Sequence, residues 1–160
     1  VDAWAQTPIQ AKLFADGRVW LVCADVADDH PQAGALATRL ALLQQAHEHL
    51  VVVRLPSMIQ AESDVQHERV DLHALWAVFA EQEFNEIHVE AGARLNAALL
   101  ASGLVDELLM YLAPRVVGAG LPMADFAAQV NLDDLRQEGA WRWLDAQTLG
   151  DDLRLHLRKI

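Results

Sequence analysis

Apolar positions along the chain fall into alternating blocks. Arg18 to Ala24, "RVWLVCA", is a β-rich apolar run and predicts a strand. The following stretch, "GALATRLALLQQAHEH", places Leu36, Leu40 and Leu43 at helical spacing. Leu50 to Pro56, "LVVVRLP", predicts a second strand stopped by its proline, and the polar "PSMIQAESDVQHER" after it predicts a surface loop. Leu72, Leu75, Trp76 and Phe79 then stand at i, i+3, i+4 and i+7, with Asp71 placed to cap, which predicts an amphipathic helix. "EIHVEAG" predicts a strand and Ala93 to Ser102 a helix, with Gly103 as its C′ stop. "DELLMYLAPRVVG" is nearly all apolar, as a strand buried on both faces would be. "WRWLDAQTL" and "LRLHLRKI" alternate with period two and predict a closing pair of strands.

Strands alternating with helices, then two strands without a helix between them, predict an α/β fold. Its sheet is expected to be mixed: mostly parallel, antiparallel at the C-terminal edge, with helices on both faces. No Gly/Pro/Ser-rich linker interrupts residues 1–160, so one domain is expected.

Composition narrows the partners. A net charge of −11 leaves no basic patch to neutralise phosphates, so neither nucleic acid nor an anionic membrane is expected as a partner. The apolar runs are too short for a bilayer span. Cys23 is the single cysteine, so no internal disulfide forms and the expected location is cytoplasmic. It lies in an apolar strand and reads as an inert core thiol. His47 and His49 stand two apart at a helix end and read as a solvated terminus rather than a metal site. The pairs Asp28-Asp29, Asp133-Asp134 and Asp151-Asp152 read as turn and cap residues. His88 and Glu90 have the first spacing of a zinc-deaminase signature, but Cys23 alone cannot complete that ligand set, so no metal is expected.

The candidate chemistry centres on Gly92, where a strand is expected to give way to a helix. Two explanations stand side by side. The backbone of the turn needs glycine, or a ligand approaches too closely for a side chain. In open α/β sheets ligands bind beyond the carboxyl ends of strands, and a helix starting there directs unpaired amides at that crevice. Those donors and the helix dipole favour a phosphate. Glu90 would project toward the same opening, and Ala91 and Ala93 keep it roomy.

From Val89 to Gly120, "VEAGARLNAALLASGLVDELLMYLAPRVVGAG" closely resembles the reductase domain of the bifunctional riboflavin-biosynthesis deaminase-reductases. Those proteins share a Glu-Ala/Gly-Gly turn, a short helix, "aGLVDEL", a strand, "AP" and a basic-apolar-apolar-Gly segment. A weaker match opens the chain, where "VDAWAQTPIQAKLF" resembles the family's "LDSxLRxPxxAxLF". The resemblance implies a dihydrofolate-reductase-like fold and NADPH as cofactor; a homodimer is expected from the apolar run Leu108 to Val117, which internal burial explains equally well. It implies reduction of 5-amino-6-(5-phosphoribosylamino)uracil: the ribose opens, and its C1 accepts hydride to give the ribitylamino product. It further implies that Glu90 binds polar groups of the substrate and that Gly92, Ala93, Arg94, Leu95, Asn96, Ala97 and Ala98 contact the cofactor mostly through backbone. Asp2 corresponds to an aspartate near cofactor and sugar, placed to orient the ribose or to exchange a proton. A solvated terminal carboxylate is the plainer reading of Asp2.

Two departures stand out. Gln6 replaces the family's usual arginine at a substrate-binding position, and a neutral amide holds a phosphate far less strongly than a guanidinium. Ala93-Arg94 replaces a commoner Pro-Thr pair; a solvent-facing charge is the simpler reading of Arg94, a cofactor-phosphate contact the other. The family segment that precedes the position matching Val1, and the zinc-deaminase half, are not visible. The chain is therefore expected to be the C-terminal portion of a reductase domain, inactive alone. The alternatives are a nicotinamide-dependent reductase of another small substrate on the same fold, or a non-catalytic dimerisation or binding module.

Overall fold

The structure, a computed structural model, describes residues 1–15, 17–62, 65–126 and 141–160, with the backbone alone for 59–62 and 65–68. Asp133-Asp134 lie outside the described residues. The chain forms two compact units, Val1–Asn85 and Glu86–Ile160. No helix among the described residues is long and apolar enough to cross a membrane.

The first unit is built on a parallel pair. Strand β1 (Trp20–Asp25) runs beside the first half of β2 (Val51–Glu62), from Trp20 opposite Val51 to Asp25 opposite Pro56. Helix α1 (Ala33–Ala46) buries Leu36, Leu40 and Leu43 against Leu21 and Cys23 of β1. Helix α2 (Leu72–Glu81) packs Leu75 in a second cluster with Val22, Leu55 and Val70. Successive β1 side chains thus enter different clusters, because a strand alternates its faces. This is why β1 is apolar at every position from Trp20 to Ala24 rather than at every second one. Asp71 caps α2 as its sequence position predicted, accepting from the amides of His73 (2.8 Å) and Ala74 (3.1 Å).

Three expectations for this unit change. Strand β2 does not stop at Pro56, and the predicted loop after it is a hairpin. Residues 57–62 pair antiparallel with β3 (Val65–Val70). Pro56 stands where β2 exchanges one neighbour for the other, and its carbonyl accepts the Asp71 amide at 2.9 Å. A proline is tolerated there because it ends one ladder instead of interrupting it. The hairpin is a backbone ladder, to which side-chain polarity is a poor guide. His47 also departs from a freely solvated terminus: its ring stacks on Phe14 at 4.3 Å and Nε2 lies 2.9 Å from the Ile9 carbonyl.

The second unit holds α3 (Ala93–Ala101) and an antiparallel sheet in the order β4-β6-β5, with β4 at Glu107–Leu112, β5 at Trp141–Leu149 and β6 at Asp152–Lys159. The closing pair of strands is as the alternation predicted. Cross-strand partners Leu108–Leu157, Met110–Leu155 and Leu112–Leu153 make one face apolar. On the other face Glu107 binds both His156 (2.7 Å) and Arg158, and Asp145 binds Arg154 at 2.7 Å.

Three expectations fail here. Residues 86–92 form no strand among the described residues; Ile87 and Val89 alternate as strand residues do, but no ladder partner pairs with them. Strand β4 is not buried on both faces: Leu109 is 42% exposed, Tyr111 60% and Leu112 50%. Among the described residues it is an outer strand, so its apolar run reflects a half-open position rather than a buried one. Finally, the expected mostly parallel sheet is not found: among the described residues β1-β2-β3 is mixed, β4-β6-β5 is antiparallel, and parallel pairing is confined to β1 and β2.

Candidate functional site

Gly92 is the N-cap of α3, with φ −76° and ψ 166°. Any residue adopts that extended backbone, and a Cβ built there would meet nothing within 4 Å. The turn itself therefore does not need glycine, which removes one of the two explanations for it. Among the described residues, no side chain makes a cap hydrogen bond at this end. A helix leaves its first amides without internal acceptors, here those of Gly92, Ala93, Arg94 and Leu95. The Asn96 amide is already committed to the Gly92 carbonyl at 3.1 Å. Ala97 is buried, and Ala98 lies a further residue into the helix. Of the segment 93–98, the donors that face outward along the helix axis are thus the first three. Arg94 is exposed beside them.

The turn is anchored from behind. The Asn96 side chain donates through Nδ2 to the carbonyls of Ala91 (3.2 Å) and Met123 (2.9 Å). The Asp125 amide donates to the Ala93 carbonyl at 3.0 Å. Sequence reasoning missed this clamp, because residues 123–125 carry no periodic signal and lie far along the chain. Glu90 is exposed, with Oε1 3.3 Å from Nε2 of His88.

Asp2 and Gln6 belong to the first unit. The Asp2 amide donates to the Val22 carbonyl (2.9 Å) and the Ala24 amide to the Ala3 carbonyl (3.0 Å), which seats residues 2–3 along the carboxyl-terminal half of β1. Asp2 is not a free terminal carboxylate. Its Oδ2 accepts from both the amide and the hydroxyl of Thr7, each at 2.7 Å. Burial pushes its pKa up, but the Thr7 hydroxyl and the backbone amides of Gln6, Thr7 and Trp4 outweigh it and hold the group below its ordinary value. Between them Ala5 is buried and left-handed, at φ 50°. Gln6 is exposed. The Cys23 thiol is fully buried, and burial pushes its pKa up, as an inert thiol requires.

A shallow concavity lies elsewhere in the first unit, lined by Phe14, Gly17, Val19, His47, Glu48 and Leu50. It sits at the amino ends of β1 and β2, the end opposite to the one that binds ligands in open α/β sheets. Neither Asp2 nor Gln6 lines it.

A family model described as the RibD C-terminal domain matches residues 5–154. The riboflavin biosynthesis protein RibD of Escherichia coli is 35% identical over 88 residues, which are 55% of this chain and 23% of that protein. A 5-amino-6-(5-phosphoribosylamino)uracil reductase of Buchnera aphidicola is 27% identical over 92 residues, 57% of this chain and 43% of that one. The chain therefore spans less than half the length of these relatives. Among solved structures, a pyrimidine reductase-like protein of Corynebacterium diphtheriae superposes with a TM-score of 0.67 at 12% identity, covering 99% of this chain and 58% of that one. Acinetobacter baumannii RibD superposes with a TM-score of 0.52 at 24% identity, covering 87% and 37%. At those identities the likeness speaks for the fold.

Proposed function

The chain belongs to the RibD C-terminal domain family, and from that premise we propose that it is the C-terminal portion of a dihydrofolate-reductase-like domain that reduces 5-amino-6-(5-phosphoribosylamino)uracil with NADPH in riboflavin biosynthesis. The observation that carries this reading is Gly92. A glycine whose backbone is ordinary, whose Cβ space is open and whose helix is uncapped suits the close approach of an anionic group.

NADPH, when bound, supplies the hydride that reduces C1 of the opened ribose. The chain's own groups do the positioning. The amides of Ala93, Arg94 and Leu95 receive a cofactor phosphate, and the missing side chain at Gly92 lets it come close. Arg94 adds a positive charge beside them. Glu90 accepts hydrogen bonds from polar groups of the substrate, and the Gln6 amide contacts it without a charge. Asp2, held ionised by Thr7, orients the ribose by accepting from a hydroxyl; a carboxylate with a lowered pKa is poorly suited to donate a proton at neutral pH. The exposed outer strand β4 serves a homodimer in the cytoplasm.

The test is turnover in a polypeptide that carries this sequence within a complete reductase region. NADPH is expected to be oxidised only when the ribosylaminopyrimidine phosphate is present. Gly92→Val is expected to raise KM for NADPH at least tenfold with Tm unchanged. An unchanged KM would overturn the cofactor role of Gly92. The 160-residue chain alone is expected to bind NADPH more weakly than micromolar; tighter binding would contradict an incomplete pocket. Gln6 favours a second reading, reduction of a different small substrate, which oxidation of NADPH with that substrate alone would establish.

A further inference from the structure

A serine, threonine or aspartate at an N-cap fixes a helix start by accepting from the second or third amide. It thereby occupies the donors an anion would need. Helix α3 is fixed in another way. Its N-cap has no side chain, and the attachment comes from Asn96, one turn in, whose Nδ2 reaches back to the Ala91 carbonyl and across to the Met123 carbonyl. Both partners are acceptors, so only an amide nitrogen can serve them; a carboxylate of the same shape would be repelled by both. The Asp125 amide completes the clamp on the Ala93 carbonyl. All of these bonds end on carbonyl groups, and none of them uses a first-turn amide of the helix.

We infer that Asn96 is a positioning residue for the anion-receiving turn, tying Ala91 to the 123–125 segment so that the amides of Ala93 to Leu95 are held in place yet left free. The inference rests on the cofactor reading of Gly92 and gives Asn96, whose amide is committed to the Gly92 carbonyl, a role through the turn in place of the cofactor contact expected from sequence.

The experiment follows the amide resonances of the 160-residue chain by NMR during NADPH titration. In the unmodified chain the Ala93, Arg94 and Leu95 signals are expected to shift together and saturably. Asn96→Ala and Asn96→Leu are each expected to weaken that response at least tenfold. Gly103→Ala loosens the far end of the same helix, where Gly103 has φ +73°. It is expected to lower Tm while leaving the NADPH response intact, so that lost stability and lost positioning are separated. Should the Asn96 variants lower Tm as Gly103→Ala does and bind NADPH as the unmodified chain does, Asn96 is merely structural and this inference falls alone. Because the chain alone binds weakly, the titration is carried to millimolar NADPH; absence of any saturable response there overturns the cofactor reading and the inference with it.

Discussion

One oxygen of Asp2 takes two hydrogen bonds from Thr7, and this fixes how the site should respond to acid. The folded pKa of Asp2 is lowered, so its contribution to stability is fully present above the unfolded-state value, about 3.9. It is lost as pH falls through the lower folded value. Thr7→Val removes the hydroxyl donor and keeps the amide. Because the pair is only half buried, the expected loss at neutral pH is about 1 kcal/mol. Denaturant titrations should show the variant and the parent converging at the acid end, once Asp2 is protonated in both. A gap that persisted undiminished to pH values well below the folded pKa would mean that Thr7 acts through packing. The sequence placed Asp2 as a candidate but not its ionisation, because Thr7 stands five residues on and joins it only through a left-handed Ala5. Alanine gives no signal of that conformation, whereas glycine would have done so.

At the level of elements, the two helix ends that matter most close in the same way with different residues. Helix α2 ends with the Phe84 amide on the Phe79 carbonyl (3.0 Å) and the Glu83 amide on the Ala80 carbonyl (3.0 Å), with the Phe79 and Phe84 rings 5.5 Å apart. Helix α3 ends with the Leu104 amide on the Leu99 carbonyl (3.3 Å) and the Gly103 amide on the Leu100 carbonyl (3.2 Å). Both are Schellman closures, which put the C′ residue in the left-handed region. Gly103 suits it; Glu83, at φ 58°, does not. Glu83→Gly is therefore expected to stabilise the protein by about 1 kcal/mol, and Gly103→Ala to cost about the same. Thermal melts of the two variants should move in opposite directions, and a fall in both would refute the account. The glycine made the end of α3 legible beforehand, while the glutamate concealed an identical end of α2. Strands were legible where apolar residues run unbroken, as in β1, or alternate with period two, as in β5 and β6. The β2–β3 hairpin was not, because its ladder is independent of side-chain polarity, and residues 86–92 show the converse, a strand-like pattern without a partner.

For the whole molecule, the distribution of the core decides which parts hold most firmly. The first unit encloses two clusters on either side of β1, whereas the fully buried apolar residues described in the second are Ala97, Leu99 and Leu157. Local opening costs most where buried apolar contacts are densest. Hydrogen exchange should therefore find its slowest amides in β1, at Leu21 to Ala24, and faster exchange in β4, which is an outer strand with one exposed face among the described residues. This places the proposed anion turn in the softer unit, where a ligand has ordering left to do. A ligand that binds only the ordered form stabilises it by mass action. NADPH should consequently slow exchange at residues 91–96 and at 123–125 together, since Asn96 joins them, and leave β1 unchanged. Protection confined to β1, or spread evenly over both units, would place the cofactor away from Gly92.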